Sequence, residues 1–252
     1  MNAVYEPRPS PAYAHAPITE AVIEVRVDHD VEDKALKKIA AKLKPHYTMS
    51  SPRREIGFLI DNTTGGDIKI AEDSTGYRLA SEDQADIVLL TKRHLTTARL
   101  PPYPGWEEFS EQARKNWEAW SKIAPKYSII RLGVRFINRI DIPVPSNGKV
   151  NLDQYFTFQP RSDQFEKTLQ SYLVQVRFET FAPNWVATIT SAPVHPHPVP
   201  DAMSFILDID VSREMEIPMH AKKLWATIDE ARNVKNDLFE RALTEKTKDL
   251  FR

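Results

Sequence analysis

The sequence has no cysteine, only 7 glycines in 252 residues, and no apolar run long enough to span a membrane. Without cysteine, disulfide bonds, thiolate metal sites and cysteine nucleophiles are excluded, which fits a reducing cytoplasm. The scarcity of glycine disfavours a phosphate-binding loop. A membrane helix needs about 18 consecutive apolar residues, and the N-terminus lacks the basic start and apolar core of a signal peptide. We therefore expect a cytoplasmic protein that does not enter a membrane.

An excess of charge of one sign is also missing. The chain carries 34 basic and 35 acidic side chains, for a formal net charge of −1. This balance provides no long-range field that would hold nucleic acid or a membrane surface, so any such role would need a local patch. Hydrophobic residues make up 41% of the chain, which is enough to build the core of one large domain or two small ones.

Catalytic motifs are absent as well. The sequence contains no GxSxG, HExxH, GxGxxG, P-loop or EF-hand pattern. We therefore favour a protein that is not an enzyme, and we expect no cofactor. The alternative is a bound Mg²⁺ or Zn²⁺ ion.

What the sequence does contain is one long amphipathic strand at residues 127–142. Apolar and polar side chains alternate there, which is typical of a strand with one face in a core and the other in water or against a partner. The apolar face carries Ile130, Leu132, Val134, Phe136, Ile140 and Ile142. The other face carries Arg131, Gly133, Arg135, Arg139 and Asp141.

The order of the predicted elements indicates an α+β fold with two similar halves of mainly antiparallel sheet. Each sheet has one face covered by helices, and a long helix closes the chain. We place an extended, proline-rich arm at 1–17, the first half at 18–125 and the second half at 126–252, with one continuous domain as the alternative. The predicted strands are 19–27, 54–61, 67–71, 76–81, 86–99 with a break near 92–94, 127–142, 171–180, 185–192 and 204–215. The predicted helices are 31–43, capped by Asp30 or Asp33, then 106–124, a short one at 152–156, and 221–250.

Four segments of the chain resemble a sporadically distributed family of uncharacterised bacterial proteins of about this length, known only by a placeholder name. The segments are API with TEAVIEVRV, the central RLGVRFINRIDIP, LDIDV, and the terminal ARNVKNDLFERALTEKTKDLF. The resemblance covers nearly the whole chain but implies no agreed activity, substrate or catalytic residue. The patchy distribution of the family suits genes on mobile or defence islands, and so suggests an accessory of a bacterial defence or toxin–antitoxin-like system.

The first candidate site is the arginine row, which we define as Arg131, Arg135 and Arg139. Guanidinium groups bind phosphates and carboxylates through paired hydrogen bonds, and Gly133 leaves room for a ligand or backbone to approach. The alternative is pairing with acidic residues on neighbouring strands, namely Glu20, Glu24, Asp208 and Asp210. Asn138 interrupts the apolar face, and it either satisfies a buried backbone group or lines a cavity.

Two further candidates concern metals. Asp208 and Asp210 lie two residues apart on one strand face, as carboxylates that share Mg²⁺ do in phosphoryl-transfer enzymes, but a lone DxD pattern also arises by chance. His195 and His197 would point the same way in an extended proline-rich loop, and imidazole binds zinc. The alternative is a stiff exposed loop, which can itself serve as a recognition element.

These observations lead to three hypotheses about function. The first is a non-enzymatic binding or regulatory protein that acts through a macromolecular partner, more plausibly protein than nucleic acid, with self-association through the C-terminal helix as one form. The second is nucleic-acid or nucleotide binding on the arginine row. The third is a metal-dependent phosphoryl-transfer enzyme that uses Asp208 and Asp210.

Overall fold

A nine-stranded sheet and four helices make up the regular structure of the described residues. The computed structural model describes residues 13–60, 68–124, 127–146, 148, 150–158, 171–195 and 198–252, and for 53–60 and 68–75 the backbone alone. The strands are β1 (Ile18–Val27), β2 (Met49–Ile60), β3 (Ile68–Ala80), β4 (Asp86–Thr91), β5 (His94–Arg99), β6 (Ile129–Pro143), β7 (Val174–Glu179), β8 (Val186–Pro193) and β9 (Ala202–Arg213). The helices are α1 (Asp33–Leu43), α2 (Trp106–Ser121), α3 (Ala221–Ala242) and α4 (Glu245–Lys248), with a 3-10 turn at Leu152–Gln154.

The sheet is large and antiparallel, as the prediction of a mainly antiparallel α+β protein required. Its hydrogen-bonded strand order is β2-β3-β4-β5-β1-β6-β9-β8-β7, and each strand pair whose register is described is antiparallel. The chain divides into two compact units, one of residues 23–130 and one of residues 1–22 with 131–252. We refer to them as the 23–130 unit and the 131–252 unit.

The 23–130 unit buries the apolar stripes that helical periodicity predicts. Helix α2 packs on β5, and α1 packs on α2 and β4. Helical spacing predicts a core-facing stripe of Leu36, Ile39, Ala40 and Leu43 on α1 and places the three tryptophans of α2 in the core, and all of these residues are buried. Between α2 and the sheet, the Nδ2 of Asn116 donates hydrogen bonds to the hydroxyls of Tyr47 at 2.7 Å and Thr97 at 3.0 Å.

Two local predictions in this unit were wrong. Neither Asp30 nor Asp33 caps α1, because the helix begins after Glu32 and no side chain caps it; Asp30 instead pairs with Arg93. Residues 67–71 and 76–81 were predicted as separate strands, whereas β3 runs unbroken from Ile68 to Ala80 because it pairs with β2 along its whole length. The predicted turn at 62–67 lies outside the described residues.

The 131–252 unit contains β6, β9, β8 and β7 with α3 packed on β9. Helical spacing predicts an apolar stripe on the final helix, and its members are all buried: Leu224, Ile228, Ala231, Val234, Leu238 and Ala242, with Phe239 beside them. The helix ends at Ala242 rather than at 250, however, because Leu243 is extended and bridges to Phe156. The Oγ1 of Thr244 then donates to the carbonyl of Gln154 at 2.6 Å, which fixes the break before α4.

The described end of the N-terminal arm is bound to this same unit. The hydroxyl of Tyr13 donates to Glu240 at 2.9 Å, and its ring packs edge-on against Phe239 and Phe251. The backbone N–H of His15 donates to the carbonyl of Phe251 at 2.9 Å. The end of the arm therefore contributes to the packing around α3.

The predicted duplication of two similar halves is not confirmed. Within the described residues, the 23–130 unit has helix α1 between its first strand and its following strands, whereas the 131–252 unit has a 3-10 turn at the corresponding place. The two units also differ in strand number, and β1 is divided between them at Val22. The predicted boundary at 125/126 lies a few residues before the observed division at 130/131.

Candidate functional site

The arginine row lies on the face of β6 opposite its apolar core, and two of its members are paired with β9. The Nη2 of Arg131 donates to Asp210 at 2.9 Å, while Arg135 donates to both carboxylate oxygens of Asp208 at 2.8 and 2.6 Å. In the antiparallel register Asp210 lies opposite Arg135 and Asp208 opposite Ile137, so each arginine reaches diagonally along β9. The cross-strand pairing that the sequence offered as an alternative is therefore present for both arginines.

Gly133 makes the first of these pairs possible. The guanidinium of Arg131 lies over this glycine, and a Cβ at position 133 would meet its Nη1 at 2.7 Å. The space that the sequence analysis left for a ligand is therefore filled by the arginine itself. Arg131 is covered in consequence, with 16% of its side chain exposed, compared with 46% for Arg135.

The third arginine is also paired, but within its own strand. The Nε of Arg139 lies 3.2 Å from the carboxylate of Asp141, whose other oxygen accepts a hydrogen bond from Ser204 at 2.6 Å. Glu20 of β1 acts on Arg135 as well, and together with the dominant hydrogen bond to Asp208 it raises the pKa of that guanidinium. Arg131, Arg135 and Arg139 thus face four carboxylates, those of Glu20, Asp141, Asp208 and Asp210. The local charge is not that of a cationic patch.

Asn138 satisfies a backbone group in the buried layer. It is 2% exposed, and its Nδ2 donates to the carbonyl of Leu207 at 3.0 Å. Leu207 is the residue directly opposite in the β6–β9 register. Of the two roles considered for this residue, the backbone role is the one that its contacts support.

The carboxylates proposed to bind Mg²⁺ are engaged by guanidinium groups. Asp208 and Asp210 do lie on one strand face, but each accepts hydrogen bonds from an arginine. His195 is in the exposed loop after β8, and His197 lies outside the described residues. Within the part of the chain that the structure describes, no group of three or more His, Asp and Glu side chains could hold a metal ion. The two metal hypotheses stay predictions without support from a ligand cluster.

A second candidate site, not predicted from the sequence, lies within the 131–252 unit and includes residues of β7, the last strand of the described sheet. We call it the edge groove: it has a volume of about 330 Å³ and is lined by Arg177 and Glu179 of β7, by Thr180 and residues 182–186, and by Ser212, Glu214 and Met215. Its floor includes Trp185, which is 1% exposed. Ser212 lies opposite Gly133 in the β6–β9 register. The edge groove therefore begins beside the glycine that Arg131 covers.

The walls of the edge groove are held in place by polar contacts. Asn184 of the β7–β8 turn donates to the carboxylate of Glu216 at 2.8 Å. Arg213 donates to the backbone carbonyls of Met215 and Glu216 at 2.8 and 3.0 Å, and its guanidinium lies 5.8 Å from the ring of Trp185. These contacts tie the turn to the segment after β9, so the groove is formed before any ligand binds.

An exposed apolar side chain and unpaired charges meet at this groove. Met215 is 65% exposed. The side chains of Arg177, Glu179 and Glu214 make no ion pair or hydrogen bond with any residue that the structure describes. The contrast with the arginine row is direct, because there each cation already has a carboxylate.

Sequence reasoning missed these residues because they belong to no motif. One signal was available in β7, whose sequence VQVRFE places Arg177 and Glu179 on one face and three apolar residues on the other. A further signal was Met215, an apolar residue among the charged residues that follow β9. Neither signal indicates a groove until the turn at 180–185 brings β7 and the segment after β9 together.

Comparison of the sequence with models of protein families and with curated proteins found no match. The resemblance to a family of uncharacterised bacterial proteins therefore stays a prediction. Among the described residues, no helix combines the length and the apolar character that crossing a bilayer requires.

Proposed function

We propose that this protein is a non-enzymatic binding protein that acts through another protein, and that the partner contacts the edge groove. The observation that supports the proposal is the meeting of exposed Met215 with the unpaired carboxylates of Glu179 and Glu214 in one groove. Burial of one large apolar side chain contributes about 1.5–3 kcal/mol. Methionine and aromatic residues are enriched where proteins bind one another.

The charges of the groove indicate the chemistry of the partner. Two of its three unpaired charged side chains are acidic, Glu179 and Glu214, with Arg177 as the single base. A complementary segment carries an apolar side chain for Met215 and a lysine or arginine for the two carboxylates. Such complementarity mainly accelerates association and selects between partners. A role as an accessory of a bacterial defence or toxin–antitoxin-like system belongs to the same proposal, and the identity of the partner tests it.

The two alternative functions receive less support from the contacts. A polyanion would compete with Asp208 and Asp210 for guanidinium groups that are already paired, on a face where carboxylates outnumber arginines. A magnesium ion would have to displace the same guanidinium groups from the same carboxylates. Both alternatives require the β6–β9 ion pairs to open, whereas the edge groove requires no rearrangement.

The test compares capture by the wild type and by two variants. The protein is immobilised, partners are recovered from the native host, and the partner is then purified so that its dissociation constant can be measured. The variant Met215→Ser should weaken binding at least about tenfold, since about 1.4 kcal/mol suffices for that change. Met49→Ser is the matched control, because Met49 is 44% exposed but belongs to the 23–130 unit.

Two results would contradict the proposal. One is a wild type that recovers no macromolecule beyond those on an empty support. The other is a purified partner that binds Met215→Ser as tightly as the wild type, which would place the interface elsewhere.

A further inference from the structure

Within the part of the chain that the structure describes, the outer edge of β7 has unused backbone hydrogen-bonding groups. β7 is the last strand on its side of the described sheet. The N–H of Thr180 donates to the carbonyl of Trp185, toward β8, at 2.9 Å. Because successive residues of a strand point their N–H and C=O groups to opposite sides, Gln175, Arg177 and Glu179 direct theirs away from β8. An edge of this kind is a template for another strand.

The side chains along this edge form a self-complementary pattern. Arg177 and Glu179 lie two residues apart on one face of β7, both exposed and both without a partner among the described residues. Phe178 lies between them. A two-fold axis through Phe178 would bring Arg177 of each copy opposite Glu179 of the other.

We propose that β7 pairs antiparallel with β7 of a second copy of this chain, with the two-fold axis at Phe178. The pairing joins the sheets of the two copies and creates two Arg177–Glu179 ion pairs. It also creates about four backbone hydrogen bonds, because each of the two outward-facing residue pairs exchanges both of its bonds. Val176, which is 37% exposed, is covered by Thr180 of the second copy.

Neighbouring registers are less favourable. An axis at Arg177 would place the two arginines directly opposite each other, and like charges on opposing strands destabilise a sheet. An axis at Val176 would place Arg177 opposite Gln175 and Glu179 opposite Leu173, which leaves both charges unpaired. The charge pattern therefore selects the axis at Phe178.

This surface differs from the one expected from the sequence. Self-association was predicted through the C-terminal helix, but α3 is largely enclosed within its own unit, including the charged residues Lys235, Asp237 and Glu240. β7 by contrast has intermediate or exposed side chains at every position. The dimer and the proposed partner share Glu179, but the partner also requires Met215, whereas the β7 pairing does not; Met215→Ser therefore tests the partner and leaves the dimer intact.

Charge exchange across the two-fold axis tests the proposal. Sedimentation velocity over a range of concentrations should show a dimer for the wild type. Arg177→Glu and Glu179→Arg should each raise the dimer dissociation constant by about tenfold or more, because each places like charges opposite each other. The double variant Arg177→Glu with Glu179→Arg restores opposite charges and should return to within about threefold of the wild type. Lys222→Glu, an exposed charge reversal on α3, is the control and should change nothing.

A cysteine cross-link provides a second, independent measurement. The chain has no cysteine, so a single introduced thiol reports only its own contacts. Across the proposed axis the two copies of position 178 form a non-hydrogen-bonded pair with Cα atoms about 4.5 Å apart, which suits a disulfide. Phe178→Cys should give a covalent dimer under mild oxidation, and Gln175→Cys should not.

The outcomes separate the possibilities. A monomeric wild type at the highest concentration reached would overturn the proposal. Dissociation by the single variants without rescue by the double variant, or a cross-link at position 175 rather than 178, would overturn the proposed register. A dimer that is insensitive to both charge reversals would place self-association on another surface. If the β7 edge bound only a strand of a different protein, the proposal of a second copy of this chain would be wrong.

Discussion

Replacing Lys235 by methionine should stabilise the protein at pH 6 and lose most of that advantage by pH 10. Lys235 is 7% exposed, and its Nζ lies 3.8 Å from the centre of the Phe136 ring. Burial, reinforced by Arg232 and opposed by Glu240, lowers the pKa of Lys235 from 10.5 to about 7. The folded protein therefore holds a charged amine in an apolar layer whenever the pH is below about 7.

The size of the effect follows from this pKa. A drop from 10.5 to about 7 corresponds to a penalty of about 5 kcal/mol for the charged form. The penalty is complete below pH 7, where Lys235 is protonated in the folded and the unfolded chain alike. It falls between pH 7 and 10.5, where the unfolded chain keeps a proton that the folded protein has lost, so the free energy of unfolding rises with pH there. The contact of the charged amine with Phe136 offsets about 2 kcal/mol, and methionine retains much of the packing. We expect a gain of about 3 kcal/mol at pH 6 and under about 1 kcal/mol at pH 10.

Urea unfolding at pH 6, 8 and 10 measures this difference directly. Because wild type and variant share all other titrating groups, the difference in their free energies of unfolding isolates Lys235. Lys222→Met is the control, since Lys222 is exposed on the same helix and its replacement should have no pH-dependent effect. A Lys235→Met variant that is less stable than the wild type at pH 6 would refute the reasoning, because the ammonium would then be a net stabilising group.

Two smaller predictions concern the other buried contacts. Gly133→Ala should lower the free energy of unfolding by under about 1 kcal/mol. The new Cβ meets the flexible end of the Arg131 side chain, and when that side chain moves away one ion pair is lost. In a protein that already carries Arg131→Ala, urea unfolding should show no loss of stability from Gly133→Ala. An equal loss with and without Arg131 would show that the contact between position 133 and Arg131 is not the cause. Tyr47→Phe removes the hydroxyl that accepts from Asn116 at 2.7 Å, so we expect a loss of about 1–3 kcal/mol by the same measurement. A neutral substitution would mean that Asn116 finds another acceptor.

Periodicity predicted the elements that bury one face, although Ile130, predicted on the apolar face of β6, is 39% exposed, and Ile129 is buried instead. The stripe of α1, the tryptophans of α2 and the alternation of β6 are all visible locally, because a 3.6- or 2-residue repeat needs no knowledge of the partner surface. The predictions failed where distant residues decide. Helix α3 stops at Ala242 because of contacts with Phe156 and Gln154, which no local pattern contains.

The candidate site was predictable in the same partial way. The arginine row was evident as a pattern, but whether it was open depended on the register of β6 with β9, which brings Asp208 and Asp210 within reach. The two-residue spacing of Asp208 and Asp210 also explains why they resemble a metal-binding motif in the sequence. Their spacing of two residues is the spacing of one strand face, and on β9 it serves to bind arginines.

Charge pairing distinguishes the surfaces of the 131–252 unit that the fold uses from those that remain available. On β6 and β9 each arginine of the row has a carboxylate from the same unit, and the two cross-strand pairs, Arg131–Asp210 and Arg135–Asp208, contribute to the β6–β9 pairing. On β7, at the edge of the sheet, Arg177 and Glu179 have the same chemistry but no partner within the described chain. Two such charges on one strand cannot pair with each other across a ladder, because a ladder needs a second strand. Among the described residues, the same arginine–carboxylate pairing that completes the sheet on one side is thus left half-formed on the other, and this difference is what the charge-exchange experiment measures.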